Sequence, residues 1–174
     1  MSHHKTVLFV DGYNILNAWP DLKRLLEVDL EGAREKLNDY MFEYAAYYDE
    51  EVCVVYDAYM TRSKKENIEK VNRVKIVYTK ENQTADTYIE REVKKLSSDV
   101  RILVRVATSD WVQQRQILGN GGIRMTPWEL KDKCVRIRRK IERSIQKEQE
   151  RTKKAEISRH SLKNLGNLFK EHEK

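Results

Sequence analysis

Aspartates placed just after apolar runs are the residues of this sequence best suited to do chemistry. Val10 is followed by Asp11-Gly12-Tyr13-Asn14 and Tyr56 by Asp57-Ala58. Thr79 is followed by Lys80-Glu81-Asn82-Gln83-Thr84-Ala85-Asp86, and Ala107 by Thr108-Ser109-Asp110. Taken singly, each aspartate has an ordinary role: Asp11 can shape a turn beside Gly12, while Asp86 and Asp110 suit the positive N-terminal ends of helices. Together they say more. Carboxylates gathered at one edge repel one another and are costly to desolvate unless a cation compensates, which points to a shared divalent metal. An all-oxygen donor set without His or Cys favours magnesium or manganese. Such a centre suits phosphodiester hydrolysis, where metal ions activate water and neutralise the phosphate oxygens.

On this reading Asp11 and Asp110 are principal ligands, Asp86 completes the site directly or through water, and Asp57 is the least certain member. Asn14, Thr84, Thr108 and Ser109 are placed to orient carboxylates, water or phosphate, with helix capping as the competing role. Tyr13 and Trp111 flank two of the aspartates and offer rings on which an unpaired base can stack, with core packing as the alternative; Tyr59 and Trp128 are weaker candidates. Other phosphate chemistries lack their motifs. No GxxxxGK[ST] loop occurs and no GxGxxG follows the first apolar run, so no nucleotide cofactor is expected. An aspartyl-nucleophile phosphatase usually needs a second acid at the position held by Tyr13.

The elements that must position these residues follow from periodicity. Thr6–Val10, Val52–Tyr56, Val74–Thr79 and Val100–Ala107 are short and β-branched, as strands are. Ala33–Tyr48 and Thr84–Leu96 have helical period and are long enough for the crossovers that parallel strands require. The alternation predicts an α/β sheet with helices on both faces, whose functional crevice lies beyond the carboxyl ends of its strands. Gly122–Met125 adds a short edge strand. Asp86 shares a helical stripe with Ile89 and Val93, so its carboxylate is directed inward. From Pro127, a residue suited to a first helical turn, Leu130, Cys134, Ile137, Ile141 and Ile145 mark one long amphipathic helix. Gln146–Glu156 is nearly all polar, and Leu162, Leu165, Leu168 and Phe169 predict a last short amphipathic element that docks on the core or meets a partner.

Charge is distributed unevenly. The 174 residues carry a formal net charge of +6, yet residues 131–154 hold eleven Lys or Arg against four Asp or Glu. A nearly neutral body with one cationic segment is the footprint of a polyanionic partner, with a solvated helix face as the ordinary alternative. The length suits one core. The division expected is a nuclease domain over 1–150, including the start of the basic helix, and a charged helical extension over 151–174. No apolar run is long enough for a membrane span and no signal-peptide pattern opens the chain, so a cytoplasmic protein without membrane contact is expected. Cys53 and Cys134 fall among apolar residues, so no disulfide is expected. His3, His4, His160 and His172 lack Cys partners at ligand spacing, which argues against zinc.

The four aspartate motifs, in this order and spacing, resemble the NYN-domain, YacP-like group of PIN-like bacterial ribonucleases over roughly residues 5–150. The resemblance implies a PIN-like three-layer sandwich with about five mostly parallel strands in the order 3-2-1-4-5. It also implies a Mg²⁺- or Mn²⁺-dependent acidic site and single-stranded RNA as substrate, with cleavage leaving a 5′-phosphate. Members closest in pattern look like ribosome-associated endonucleases acting on mRNA. By resemblance Asp11, Asp86 and Asp110 are catalytic metal ligands and Asp57 is accessory. Glu90, one helical turn beyond Asp86, competes with Asp57 for the fourth acidic position. Lys80 and the helix residues Arg136, Arg138, Arg139, Lys140 and Arg143 become RNA contacts. A non-catalytic RNA- or ribosome-binding factor on the same fold is the second reading, and DNA cleavage a third.

Overall fold

The computed structural model describes residues 5–58 and 65–171, apart from the side chains of Trp111 and of residues 160–171. Its strands are β1 (Lys5–Asp11), β2 (Glu51–Tyr56), β3 (Asn67–Val71), β4 (Val74–Tyr78), β5 (Ile102–Ala107) and β6 (Ile123–Met125). Helices α1 (Gly12–Ala18), α2 (Pro20–Leu26), α3 (Leu30–Tyr48), α4 (Ala85–Leu96), α5 (Trp111–Gly119) and α6 (Pro127–Glu171) connect or follow them.

One six-stranded sheet runs in the order β3-β4-β2-β1-β5-β6. Every pairing is parallel except β3 with β4. The five strands predicted from apolar runs keep the order the family resemblance implies. β3 is a sixth, antiparallel strand that corrects the expected count. Its five residues are all exposed, so no buried alternation marks it. It is held by its ladder to β4 through the two-residue turn Asn72-Arg73, where Asn72 takes a left-handed φ of 52° that asparagine tolerates well.

Strand alternation divides the core. Leu8, Val10, Val54, Tyr56 and Ile76 pack with Ile15, Trp19, Leu37, Met41 and Leu130 on one side, beneath α1, α2, α3 and the start of α6. Val7, Phe9, Val55, Val77, Val104 and Val106 meet Tyr88, Ile89, Val93 and Ile117 of α4 and α5 on the other. Cys134 belongs to the first layer and Cys53 to the second, both buried, so the sheet separates the two thiols.

Helix α6 begins at Pro127 as its sequence predicts, and it is locked by a reciprocal capping box. The Glu129 N–H donates to Thr126 Oγ1 at 3.2 Å, and the Thr126 N–H donates to Glu129 Oε2 at 2.6 Å. Indole Nε1 of Trp19 donates to the Pro127 carbonyl at 2.8 Å, tying this start to the junction of α1 and α2. The expected apolar stripe is shorter than its spacing suggests: Leu130, Cys134 and Ile137 are buried, but Ile141 and Ile145 are 40% and 52% exposed. The separate last element is also corrected, because the backbone stays helical through Glu171. Gln146–Glu156 is polar but contains no Gly or Pro and is rich in strong helix formers, so nothing in it ends a helix. By its contacts the chain divides into a unit of residues 1–137 and a unit of residues 138–174. Among the described residues, no helix is long and apolar enough to cross a membrane.

Candidate functional site

Asp11 is the last residue of the central strand β1 and lies level with Val55 of β2. Its preceding neighbour Val10 faces the α1–α3 layer, so alternation turns Asp11 toward the α4 side. There it also serves as N-cap of α1, accepting the Asn14 N–H on Oδ1 at 3.1 Å. Burial is the main reason its carboxyl is pushed up, from 3.8 to about 7. The Asn14 N–H opposes the rise, and the charges of Asp86, Asp57 and Asp110 add to it. The Asp86 carboxyl is likewise raised, first by burial and then by Asp110, Asp57 and Glu90. Four strand-end and helix-start aspartates therefore share one electrostatic environment, and every charge that raises Asp11 is negative.

The same caps that satisfy helix N-termini fix these side chains. Asp110 is the N-cap of α5, its Oδ1 accepting the Val112 N–H at 2.7 Å and the Gln113 N–H at 3.1 Å. Asp57 Oδ1 accepts the Ala85 N–H, joining the end of β2 to the start of α4. Asp86, in the first turn of α4, accepts no hydrogen bond from the described residues. It is half-buried on the same stripe as the buried Ile89 and Val93, as its spacing predicts, whereas Glu90 is exposed.

Other side chains brace this edge. Asn14 Oδ1 accepts the Ser109 N–H at 2.7 Å, bridging the ends of β1 and β5 across 95 residues of sequence. Buried Thr108 accepts the Asp110 N–H on Oγ1 at 3.1 Å. Its carbonyl in turn receives Gln114 Nε2 at 2.7 Å. Thr84 is the N-cap of α4, accepting the Thr87 N–H at 3.2 Å, and so takes the capping role. Gly12 is required by space rather than by dihedral. A Cβ there would lie 2.3 Å from Cε1 of Tyr56, so the Asp11-Gly12 backbone passes directly over the ring that precedes Asp57.

The donor set suits a hard divalent cation: carboxylate oxygens at one sheet edge, those of Asp11 and Asp86 partly desolvated and Asp110 exposed, with no His or Cys among the groups acting on Asp11. Among the described residues, however, no three acidic, His or Cys side chains are drawn together as a ligand set. The caps give a physical reason, since Asp11, Asp57 and Asp110 each commit one oxygen to a backbone N–H. Mutual repulsion spaces what remains.

Comparison with known proteins bears on this arrangement. The YacP-like NYN domain matches residues 8–170. The chain belongs to the YacP-like NYN family. It is 40% identical over 141 residues to the uncharacterized protein YacP of Bacillus subtilis strain 168, covering 81% of this chain and 82% of that one. The crystal structure of Rae1 (YacP) from Bacillus subtilis is similar with a TM-score of 0.71 at 37% identity, covering 91% of each chain. A tryptophan-to-leucine mutant of the same protein gives 0.70 at 39% identity, covering 82% of each. The PIN-like, nuclease-type fold expected from the aspartate motifs is thus the fold of this NYN chain.

The expected RNA contacts fall in several places. Lys80 is exposed in the turn after β4. Arg136, Arg139, Lys140 and Arg143 are exposed on α6, Arg138 is half-buried, and Arg136 pairs with Asp132 at 2.6 Å. Trp128 is 59% exposed in the first turn of α6. Tyr13 is half-buried: its ring lies edge-on to Tyr56 at 5.6 Å, and its hydroxyl accepts from Arg34 Nη2. Tyr59 and the ring of Trp111 lie outside the described residues. Sequence reading missed Arg34, Tyr56, Tyr78 and Gln114, which the fold brings to this edge. Position within regular elements concealed them, although Tyr56 immediately precedes a singled-out aspartate and offered a signal.

Proposed function

We propose that this NYN chain is a metal-dependent endoribonuclease that cuts single-stranded RNA in the acidic crevice at the carboxyl edge of its sheet. The observation that carries the reading is the coupling of Asp11, Asp57, Asp86 and Asp110, with Asp11 pushed up to about 7 by burial and by three other carboxylates. Uncompensated, that arrangement works against folding; Mg²⁺ or Mn²⁺ would offset it.

Asp11, Asp86 and Asp110 would hold the cation, with Asp57 as accessory ligand and Glu90, exposed but acting on Asp86, as its competitor. Bound there, the ion would lower the pKa of a water and neutralise phosphate oxygens. The chain's own part is positioning. The Asn14 N–H fixes one oxygen of Asp11 and leaves the other for the site. The backbone N–H groups of α5 do the same for Asp110. The Asn14 side chain holds β1 and β5 at one relative height, so both carboxylates keep their spacing when phosphate arrives.

The substrate we favour is mRNA in association with the ribosome, in the cytoplasm, with the basic face of α6 contacting RNA and hydrolysis leaving a 5′-phosphate. Residues 1–150 would form the nuclease domain and 151–174 its charged helical extension. The absence of a closed three-carboxylate ligand set among the described residues favours a second reading, a non-catalytic RNA- or ribosome-binding factor.

The two readings separate in one experiment. Single-stranded RNA and translating ribosomes are incubated with protein and Mn²⁺ or Mg²⁺. Cuts that Asp11→Asn abolishes support the nuclease; cutting that survives that substitution unchanged sinks the site assignment. RNA binding without cutting, lost on charge reversal of Arg139 and Arg143 but not with Asp11→Asn, supports the binding factor.

A further inference from the structure

Beside the acidic crevice, on the opposite side of the sheet from α4, three tyrosines surround one arginine. Arg34, in the second turn of α3, has its guanidinium carbon 5.4 Å from the Tyr13 ring centre, 5.6 Å from Tyr56 and 5.5 Å from Tyr78. Tyr56 stacks on Tyr78 at 5.5 Å with planes 22° apart, and its hydroxyl donates to Asn38 Oδ1 at 2.9 Å. This places the walls of the cage firmly. Two of the walls adjoin candidate ligands: Tyr13 is two residues from Asp11, Tyr56 precedes Asp57, and the Gly12 backbone lies on the Tyr56 ring.

Burial works against the Arg34 charge, and contacts with the Tyr13 hydroxyl and Glu31 outweigh it, so Arg34 stays charged. Its side chain is 15% exposed, while its ion-pair partner Glu31, reached through Nη1 at 3.1 Å, is 65% exposed. An ion pair to so exposed a carboxylate one helical turn away is weak. Nη2 donates to the Tyr13 hydroxyl, and Nε is buried with no hydrogen-bond partner among the described residues. A guanidinium largely removed from water with an unpaired donor is costly. Its planar fork matches phosphate oxygens, and the tyrosine faces hold that fork at fixed orientation. A polyanion entering a crevice of four carboxylates also meets repulsion that a cation at its rim offsets.

We propose that Arg34, set among Tyr13, Tyr56 and Tyr78, is a phosphate-holding subsite that grips an RNA backbone phosphate neighbouring the one presented to the acidic crevice. The subsite rests on the nuclease reading above. Phosphate displaces Glu31 from Nη1, and Tyr13 keeps Nη2 aligned while its ring edge borders the adjacent nucleotide. Arg34 thereby sets the register of the strand relative to Asp11.

The test measures binding of full-length protein to a fluorescent single-stranded oligoribonucleotide in EDTA, across a KCl series. Each phosphate contact on a single strand contributes about 0.7 to the slope of log affinity against log salt. Arg34→Met is expected to lower that slope by about 0.7 and to weaken binding roughly tenfold, the loss of one charge-assisted contact. Arg34→Lys is expected to keep the slope and lose part of the affinity. Because Arg34→Met could disturb packing, Glu31→Gln provides an independent arm on an exposed residue, with the exposed Glu35→Gln as a control for charge alone. Removing the competing carboxylate should tighten binding more than the control does.

An unchanged slope in folded Arg34→Met, or equal effects of Glu31→Gln and Glu35→Gln, overturns the subsite while wild-type cutting leaves the nuclease reading standing. If the wild type neither binds nor cuts RNA, both readings fall together.

Discussion

Replacing Asp11 by Asn should stabilise the metal-free protein at neutral and alkaline pH, although it destroys the proposed site. The folded state holds the Asp11 proton with a pKa near 7, against 3.8 for an ordinary aspartate, chiefly because the carboxyl is buried and then because other carboxylates surround it. The proton is therefore bound more tightly in the folded state than in the unfolded chain. Its stabilising contribution is fully present below pH 3.8 and is lost as the pH rises through about 7. At roughly 1.4 kcal/mol for each tenfold change in proton affinity, the loss has a ceiling of about 4 kcal/mol. Relaxation and water entry bring the expected value nearer 2 kcal/mol. Asn keeps an oxygen to accept the Asn14 N–H, so the cap at the start of α1 survives. Thermal unfolding in EDTA should show Asp11→Asn melting above wild type by roughly 4–8 °C at pH 8, using about 2–4 °C per kcal/mol for a chain of this size. The gap should narrow as the pH falls below about 7 and close only below 3.8, where the wild-type carboxyl is neutral in the folded and the unfolded chain alike. Mn²⁺ at pH 8 should raise the wild-type midpoint and leave the variant largely unmoved. An Asp11→Asn protein no more stable than wild type at pH 8, or a gap that does not depend on pH, would refute the account of Asp11 as a repelled, buried carboxylate.

Two further substitutions probe the frame around the site. Asn14→Ala removes the acceptor of the Ser109 N–H that joins β1 to β5. It should cost about 0.5–1.5 kcal/mol in denaturant titration, since the bond is exposed to water, and lower RNA cleavage by more than that loss of folded protein explains. Gly12→Ala drives a methyl into the Tyr56 ring, 2.3 Å from Cε1. A cost of about 1–3 kcal/mol is expected from overpacking, together with reduced activity, and Gly12→Ala with Tyr56→Leu should recover part of the stability. A Gly12→Ala protein as stable as wild type would show that the strand end has room the contact denies.

Much of the candidate site is legible along the chain because strand ends announce themselves. A β-branched run followed by Asp in four places fixes which residues a parallel sheet must deliver to one edge, since parallel strands all end on the same side. The helical stripe of Ile89 and Val93 likewise directs Asp86 inward before any coordinates exist. Strand β3 is different. Its residues are all exposed, so it carries no burial pattern and is a strand only because β4 offers it a ladder. The end of α6 was concealed for the opposite reason: a polar stretch without breakers looks like a linker by hydropathy and is helical by propensity.

Composition and local spacing thus determined by themselves the α/β class and the four aspartates with their neighbours, whereas the order of the five parallel strands was implied only by the family resemblance. Tertiary structure alone decided how those aspartates are held and what stands beside them. It commits one oxygen each of Asp11, Asp57 and Asp110 to a helix N-terminus, so the candidate ligand set is braced but, among the described residues, not closed. It also brings Arg34 to Tyr13, Tyr56 and Tyr78 from three distant stretches of chain. The reason is geometric: sequence periodicity encodes which face a residue takes within its own element, whereas contacts between α3 and the ends of β1, β2 and β4 exist only after the crossovers have folded those elements onto one another.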